Sequence, residues 1–205
     1  MSMLDMTLRD FTEELSSRSA VPGGGGASAL CGALAASLGG MVCFLTSGKA
    51  KFAAVQPKID ELTERAAKLR DELLALVDGD AEAFEPLSKA YSMPKDAPGR
   101  DEIMEKCLCD AAAAPLTMLE KCCEVIALQE ELSGCCSRLA VSDAGTGAVL
   151  AWGAMYGAAM NVLVNTKLMK DRKKAEEINR RVNELMGEYW QRADKVYEKI
   201  FSDLS

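Results

Sequence analysis

The sequence contains no histidine. No imidazole is therefore available as a proton shuttle or metal ligand, and acid–base chemistry near neutrality falls to Asp, Glu, Lys, Tyr or Cys. Basic residues are in the minority, 24 Lys and Arg against 31 Asp and Glu, which argues against a nucleic acid or an anionic membrane surface as partner. Strand-like alternation of apolar and polar residues is missing throughout. Cysteine is plentiful, with eight residues, but no CxxC pair exists and no histidine could complete a ligand set, so no metal is expected. Adjacent thiols such as Cys122 and Cys123 point about 100° apart on a helix and cannot face one site. Buried free thiols in a reducing, cytoplasmic setting are expected instead.

Charge is also absent from two long stretches, between Arg18 and Lys49 and between Asp143 and Lys167. The first holds the segment around which the chain is organised, VPGGGGASALCGALAASLGGMVCFLTS from Val21 to Ser47. Pro22 and Gly23, Gly24, Gly25 and Gly26 read as a loop, and Ala27 to Thr46 as a helix of small apolar residues. Gly32, Ala36 and Gly40 fall four apart, so one face carries little bulk and admits another backbone or a flat ligand. A glycine-rich loop entering a helix leaves unpaired N–H groups that suit an anion. The run is long enough to span a membrane, but Ala, Gly and Ser drive insertion weakly, and a buried central helix is expected.

Four further helices and a short amphipathic one at 4–16 follow from periodicity. The helix opening near Pro57 has its seam at Ile59, Leu62, Ala66, Leu69, Leu73 and Leu76, and the count continues through Asp80 to Ala83 and Leu87. Asp80 thus falls on an apolar face, where a carboxylate needs a partner or a purpose. Asp78 lies off the seam, free to be solvated. After the loop 90–100, a helix over 101–132 is expected to kink at Pro115. Ser142 and Asp143 read as a cap for the helix 144–167, whose Gly153 and Gly157 lie four apart, with Asn161 and Asn165 continuing that face. Amides buried there need partners, another helix or the edge of a heterocycle. The last helix, 171–201, has a regular seam from Ala175 to Ile200. The expected fold is all-α, a single domain over 1–205, a helical bundle with two central small-residue apolar helices.

The segments VPGGGGASALCGALAASLGGMV, LTSGKAKF, LVDGDAEAF, YSMPKD, SDAG and NVLVNTKLMKD stand in this order along the chain. Together they resemble the cyclodeaminase domain of formiminotransferase-cyclodeaminase and its stand-alone bacterial relatives. That resemblance implies an all-α fold, a dimer or higher oligomer, and a folate site. The implied reaction turns 5-formimidoyl-tetrahydrofolate into 5,10-methenyl-tetrahydrofolate with loss of ammonia; some stand-alone relatives are methenyltetrahydrofolate cyclohydrolases. Two departures stand out: the family usually has serine where this chain has Gly26, with Ser28 two residues on, and a Gly-Asn pair where it has Cys136 to Leu139.

The reaction needs a proton removed from N10 and one delivered to the departing amine. Two carboxylates in different environments divide such tasks without a metal. Asp80 on its apolar seam is expected as the acid, and Asp143 at a helix start as the base or an orienting group. Gly23 to Gly26, Ser28, Lys49 and Lys95 are expected around the folate and its carboxylates, with Asn161 and Asn165 at the ring. For Lys49, as for Lys51, complementing the negative end of the preceding helix is the simpler reading. A homodimer at least is expected, burying part of the last helix. The rival class is a non-catalytic helical oligomer in which the glycine helices serve only close packing.

Overall fold

The computed structural model describes residues 2–205. Six α-helices follow one another: α1 (Leu8–Leu15), α2 (Gly24–Thr46), α3 (Gln56–Tyr91), α4 (Arg100–Cys135), α5 (Val141–Leu168) and α6 (Arg172–Leu204). Short 3-10 turns precede α1, α3 and α5, and no strand occurs among the described residues. The all-α bundle read from periodicity is the fold observed.

The two uncharged helices do pack together at the centre. Helices α2 and α5 run antiparallel: Ser28 lies against Gly157, and the Cys31 thiol meets the Leu150 carbonyl at 3.5 Å. Helix α4 packs behind both, and α3 and α6 flank them. By length and composition α2 and the 138–168 segment could each cross a membrane; here half of the first window and 44% of the second are buried in the bundle. Leu73, Leu119, Leu128 and Met155 are fully buried between these helices, each contributing roughly 1.5–3 kcal/mol through loss of contact with water.

Close approach uses Gly32 and Gly157 of the glycines that a four-residue spacing selects, but not Gly40 or Gly153. A Cβ at Gly32 would meet Cys122 Sγ at 3.1 Å, and one at Gly39 would meet Leu128 Cδ2 at 2.8 Å. With Gly25, which lies against Asp80, they form a stripe repeating every seven residues. Seven residues are close to two turns, so this stripe keeps facing the α3–α4 side, whereas a step of four drifts by about 40°. Gly40 lies in ordinary contact with α3, 3.8 Å from Ala66 Cβ. On α5 the tight positions are Gly145, Gly147 and Gly157; Gly153 faces outward with nothing within 4 Å.

Between Gly39 and Gly147 sits Gln129, fully buried on α4, its Nε2 donating to the Ala35 carbonyl at 2.8 Å. It ties α4 to α2 at the point where α5 comes nearest. Pro115 lies inside α4 without ending it, and α3 runs on through Gly79 and Pro86. The α6 seam is buried at Ala175, Val182, Leu185, Ala193, Val196 and Ile200, as its period requires.

Candidate functional site

Helix α2 begins earlier than its composition suggests. Gly23 is the N-cap residue, and Gly24, Gly25 and Gly26 form the first helical turn rather than a loop. No side chain of Gly23 can cap the turn, so its N–H groups depend on other elements. The reason for glycine is steric. A Cβ on Gly25 would overlap the carboxyl group of Asp80, which reaches over from α3. Burial pushes the Asp80 carboxyl up from the ordinary carboxylate range, and the nearby backbone N–H of Gly26 partly offsets that rise. Asp80 follows Val77, the fully buried residue on this part of the α3 seam; Leu76, which a strict count placed there, is only half-buried.

The other side of the same turn belongs to α5. Gly24 packs against the amide of Asn161, which would stand 3.3 Å from a Cβ there. Asn161 Nδ2 donates to the Gly157 carbonyl at 2.8 Å. One turn on, Asn165 Nδ2 donates to the Asn161 carbonyl at 2.9 Å and to the Ala111 carbonyl of α4 at 3.2 Å. The all-glycine first turn of α2 is thus flanked by a half-buried carboxyl from α3 and by the Asn161 amide from α5, with Asn165 one helical turn further on.

Several residues expected here lie elsewhere. Asp143 is not a cap: α5 starts at Val141 with Ala140 as N-cap, and Asp143 sits within the first turn. Because α2 and α5 are antiparallel, Asp143 belongs to the far end of the bundle, fourteen residues from Gly157 and so about 21 Å away along the helix. Asp80 and Asp143 do not share a site within one chain. Lys49 follows the C-terminal end of α2, about 33 Å along the helix from Gly24. Lys95, in the exposed loop after α3, stays at the Asp80 end. Ser28 turns away from the cleft: its Oγ donates to the Gly24 carbonyl at 2.7 Å and fills the gap over Gly157.

Asp78 is half-buried and partnered rather than free. Its carboxylate accepts from Ser2 Oγ and, at 2.7 Å, from the Met3 backbone N–H, anchoring the N-terminal turn across α3. This contact spans 75 positions, and no local pattern signals it. Gly26 has room for a side chain: a Cβ there would meet Pro22 Cβ and the Val77 carbonyl at 3.6 Å, an ordinary contact.

Three of the thiols are poor nucleophiles. Burial pushes Cys136 up to about 11 and Cys123 to about 12, and raises Cys122 further still, so none is thiolate near neutral pH. All eight cysteines are free, and no group of His, Cys, Asp or Glu able to hold a metal exists among the described residues. A groove of about 650 Å³ lies away from the first turn of α2, between the start of α4 and the α5–α6 junction, lined by Glu105, Lys106, Lys170 and Lys174.

Residues 7–184 match the formiminotransferase-cyclodeaminase family. The chain is 34% identical to a methenyltetrahydrofolate cyclohydrolase of Methylorubrum extorquens, over 97% of this chain and 98% of that one. It is 32% identical to the formimidoyltransferase-cyclodeaminase of Sus scrofa, covering 97% of this chain but only 38% of that longer protein. Among solved structures, the formiminotetrahydrofolate cyclodeaminase of Thermotoga maritima superposes with a TM-score of 0.84 at 27% identity, over 97% of this chain and 98% of that one. A bundle of this topology, matched along nearly its whole length, makes this chain a member of the formiminotransferase-cyclodeaminase family.

Proposed function

We propose that this chain is a folate-dependent one-carbon enzyme that closes 5-formimidoyl-tetrahydrofolate to 5,10-methenyl-tetrahydrofolate and releases ammonia. The observation that carries the reading is the Asp80 carboxyl, held by burial with its affinity for protons raised, over a turn with no side chains. A raised carboxyl is a stronger base and works closer to neutral pH. With Asp143 remote, one carboxyl suffices. N10 attacks the amidinium carbon, forming the N10–C bond; Asp80 takes the proton from N10 and passes it to the amino group. The C–N bond to that group then breaks, ammonia leaves, and Asp80 is ionised as at the start. The exposed Gly24 and its neighbours let the ring of the substrate approach the α2 backbone.

A second reading is favoured by the Methylorubrum extorquens relative, which matches end to end and is a cyclohydrolase. There Asp80 would take the proton of a water adding to the methenyl carbon. The test is one assay with two substrates: ammonia release from 5-formimidoyl-tetrahydrofolate, and loss of methenyl absorbance in water. Turnover of neither substrate by folded protein overturns both readings and leaves a non-catalytic oligomer.

We also infer a homodimer at least, in a reducing cytoplasm. Supporting the first are exposed apolar residues on the uncharged helices, Phe44 at 74% and Met160 at 68%, and the stacked, half-exposed Tyr197 and Phe201 on α6. The eight free thiols support the second. Light scattering that shows a monomer at micromolar concentration would contradict the assembly.

A further inference from the structure

The orientation of the two amides on α5 is set by chemistry rather than by choice. A carbonyl only accepts hydrogen bonds, so the amide atom facing it must be nitrogen. Asn161 turns its nitrogen to the Gly157 carbonyl, and Asn165 turns its nitrogen to the carbonyls of Asn161 and Ala111. Both hydrogens of the Asn165 amide are thereby used. The two Oδ1 atoms receive no donor from any described residue, and both side chains are only half-buried. Standing one turn apart on one face, about 5–6 Å from each other at Cβ, they form an acceptor edge that starts beside Gly24 at Asn161 and runs on towards α4 at Asn165.

From this we infer that Asn161 and Asn165 select the substrate by its N–H donors: they recognise the amino-oxo-pyrimidine edge of the pterin ring, whose exocyclic amine and ring N–H both donate. The inference rests on the folate reading and adds to it the polarity of the contact. A ring that offered acceptors on that edge would set lone pairs against lone pairs and leave both oxygens without partners. Gly24 contributes by omission, since a side chain there would crowd the Asn161 amide.

The experiment is calorimetric binding of 5-formyl-tetrahydrofolate and of its 2-desamino analogue, first to the unaltered protein. The amino form is expected to bind about tenfold or more tightly, the size of one well-made hydrogen bond whose partner is otherwise stranded. Asn161→Leu, whose amide ties only to its own helix, should abolish that preference by weakening the amino form while leaving the desamino form nearly unchanged. Equal binding of both ligands by the unaltered protein overturns the inference without touching the folate reading. Equal weakening of both ligands by Asn161→Leu overturns it too, by showing that the residue only packs. If neither ligand binds the unaltered protein, the folate reading falls and the inference with it. The first comparison needs no variant, so it decides the matter even if Asn161→Leu does not fold.

Discussion

The carboxyl group of Asp80 occupies the space that a side chain at Gly25 would need. Two residues of opposite character, one bare and one charged, therefore define the site together, and either can be tested through the other.

Gly25→Ala should force the Asp80 carboxyl aside or open the α2–α3 contact, costing about 1–3 kcal/mol as overpacking does. Turnover should fall with it. Gly153→Ala is the comparison, because Gly153 faces open space; it should gain about 0.5–1 kcal/mol from helix propensity alone. Chemical denaturation of both variants checks the pair. Equal effects would remove the steric account.

Asp80→Asn keeps the shape and loses the transferable proton, so turnover should drop about 100-fold or more. Its effect on stability should depend on pH in a definite direction. Burial raises the Asp80 carboxyl above its unfolded value. The folded chain therefore holds this proton more tightly than the unfolded one, and its stability declines as pH rises through the raised value. The Asn variant lacks that decline. Melting curves from acid to neutral pH should show the variant gaining on the parent as pH rises; a constant difference would contradict this.

Asp78→Ala removes the acceptor for Ser2 and the Met3 N–H. The expected cost is about 1 kcal/mol, confined to the N-terminal turn. Hydrogen exchange should quicken there while turnover persists. Unchanged exchange would show that the N-terminal turn is held by other contacts.

Gly26→Ser introduces the serine that the resemblance leads one to expect at this position. Ordinary contact distances at that position predict a folded protein of unchanged stability, within about 0.5 kcal/mol. A marked loss on melting would mean that the turn of α2 fits more tightly than its neighbours indicate.

Much of this was legible along the chain because helix periodicity is local. The steps of three and four that place Ile59, Leu62, Ala66, Leu69 and Leu73 on one face also carry Asp80 onto it, and no distant contact is needed to see that. The same holds for the α6 seam and for the two uncharged helices, whose lack of charge left burial as their simplest fate. The start of α2 was hidden for the opposite reason. Glycines disfavour helix, and only the Asp80 carboxyl arriving from α3 and the Asn161 amide arriving from α5 give Gly25 and Gly24 a reason to be bare.

Which residues meet was decided by chain direction and by side chains crossing between helices. The antiparallel run of α2 and α5 brings Asn161 to Gly24 and carries Asp143 and Lys49 to the other end. Neither outcome follows from spacing, since a helix pattern records which face is buried but not which neighbour covers it. The same limit conceals Asp78, whose partners lie 75 and 76 positions away. Composition and period established the helices and their apolar faces, because those depend on contacts within a few residues. The pairing of Asp80 with Gly25, and of Asn161 with Gly24, came from packing α3 and α5 against one turn of α2 too small to keep them apart.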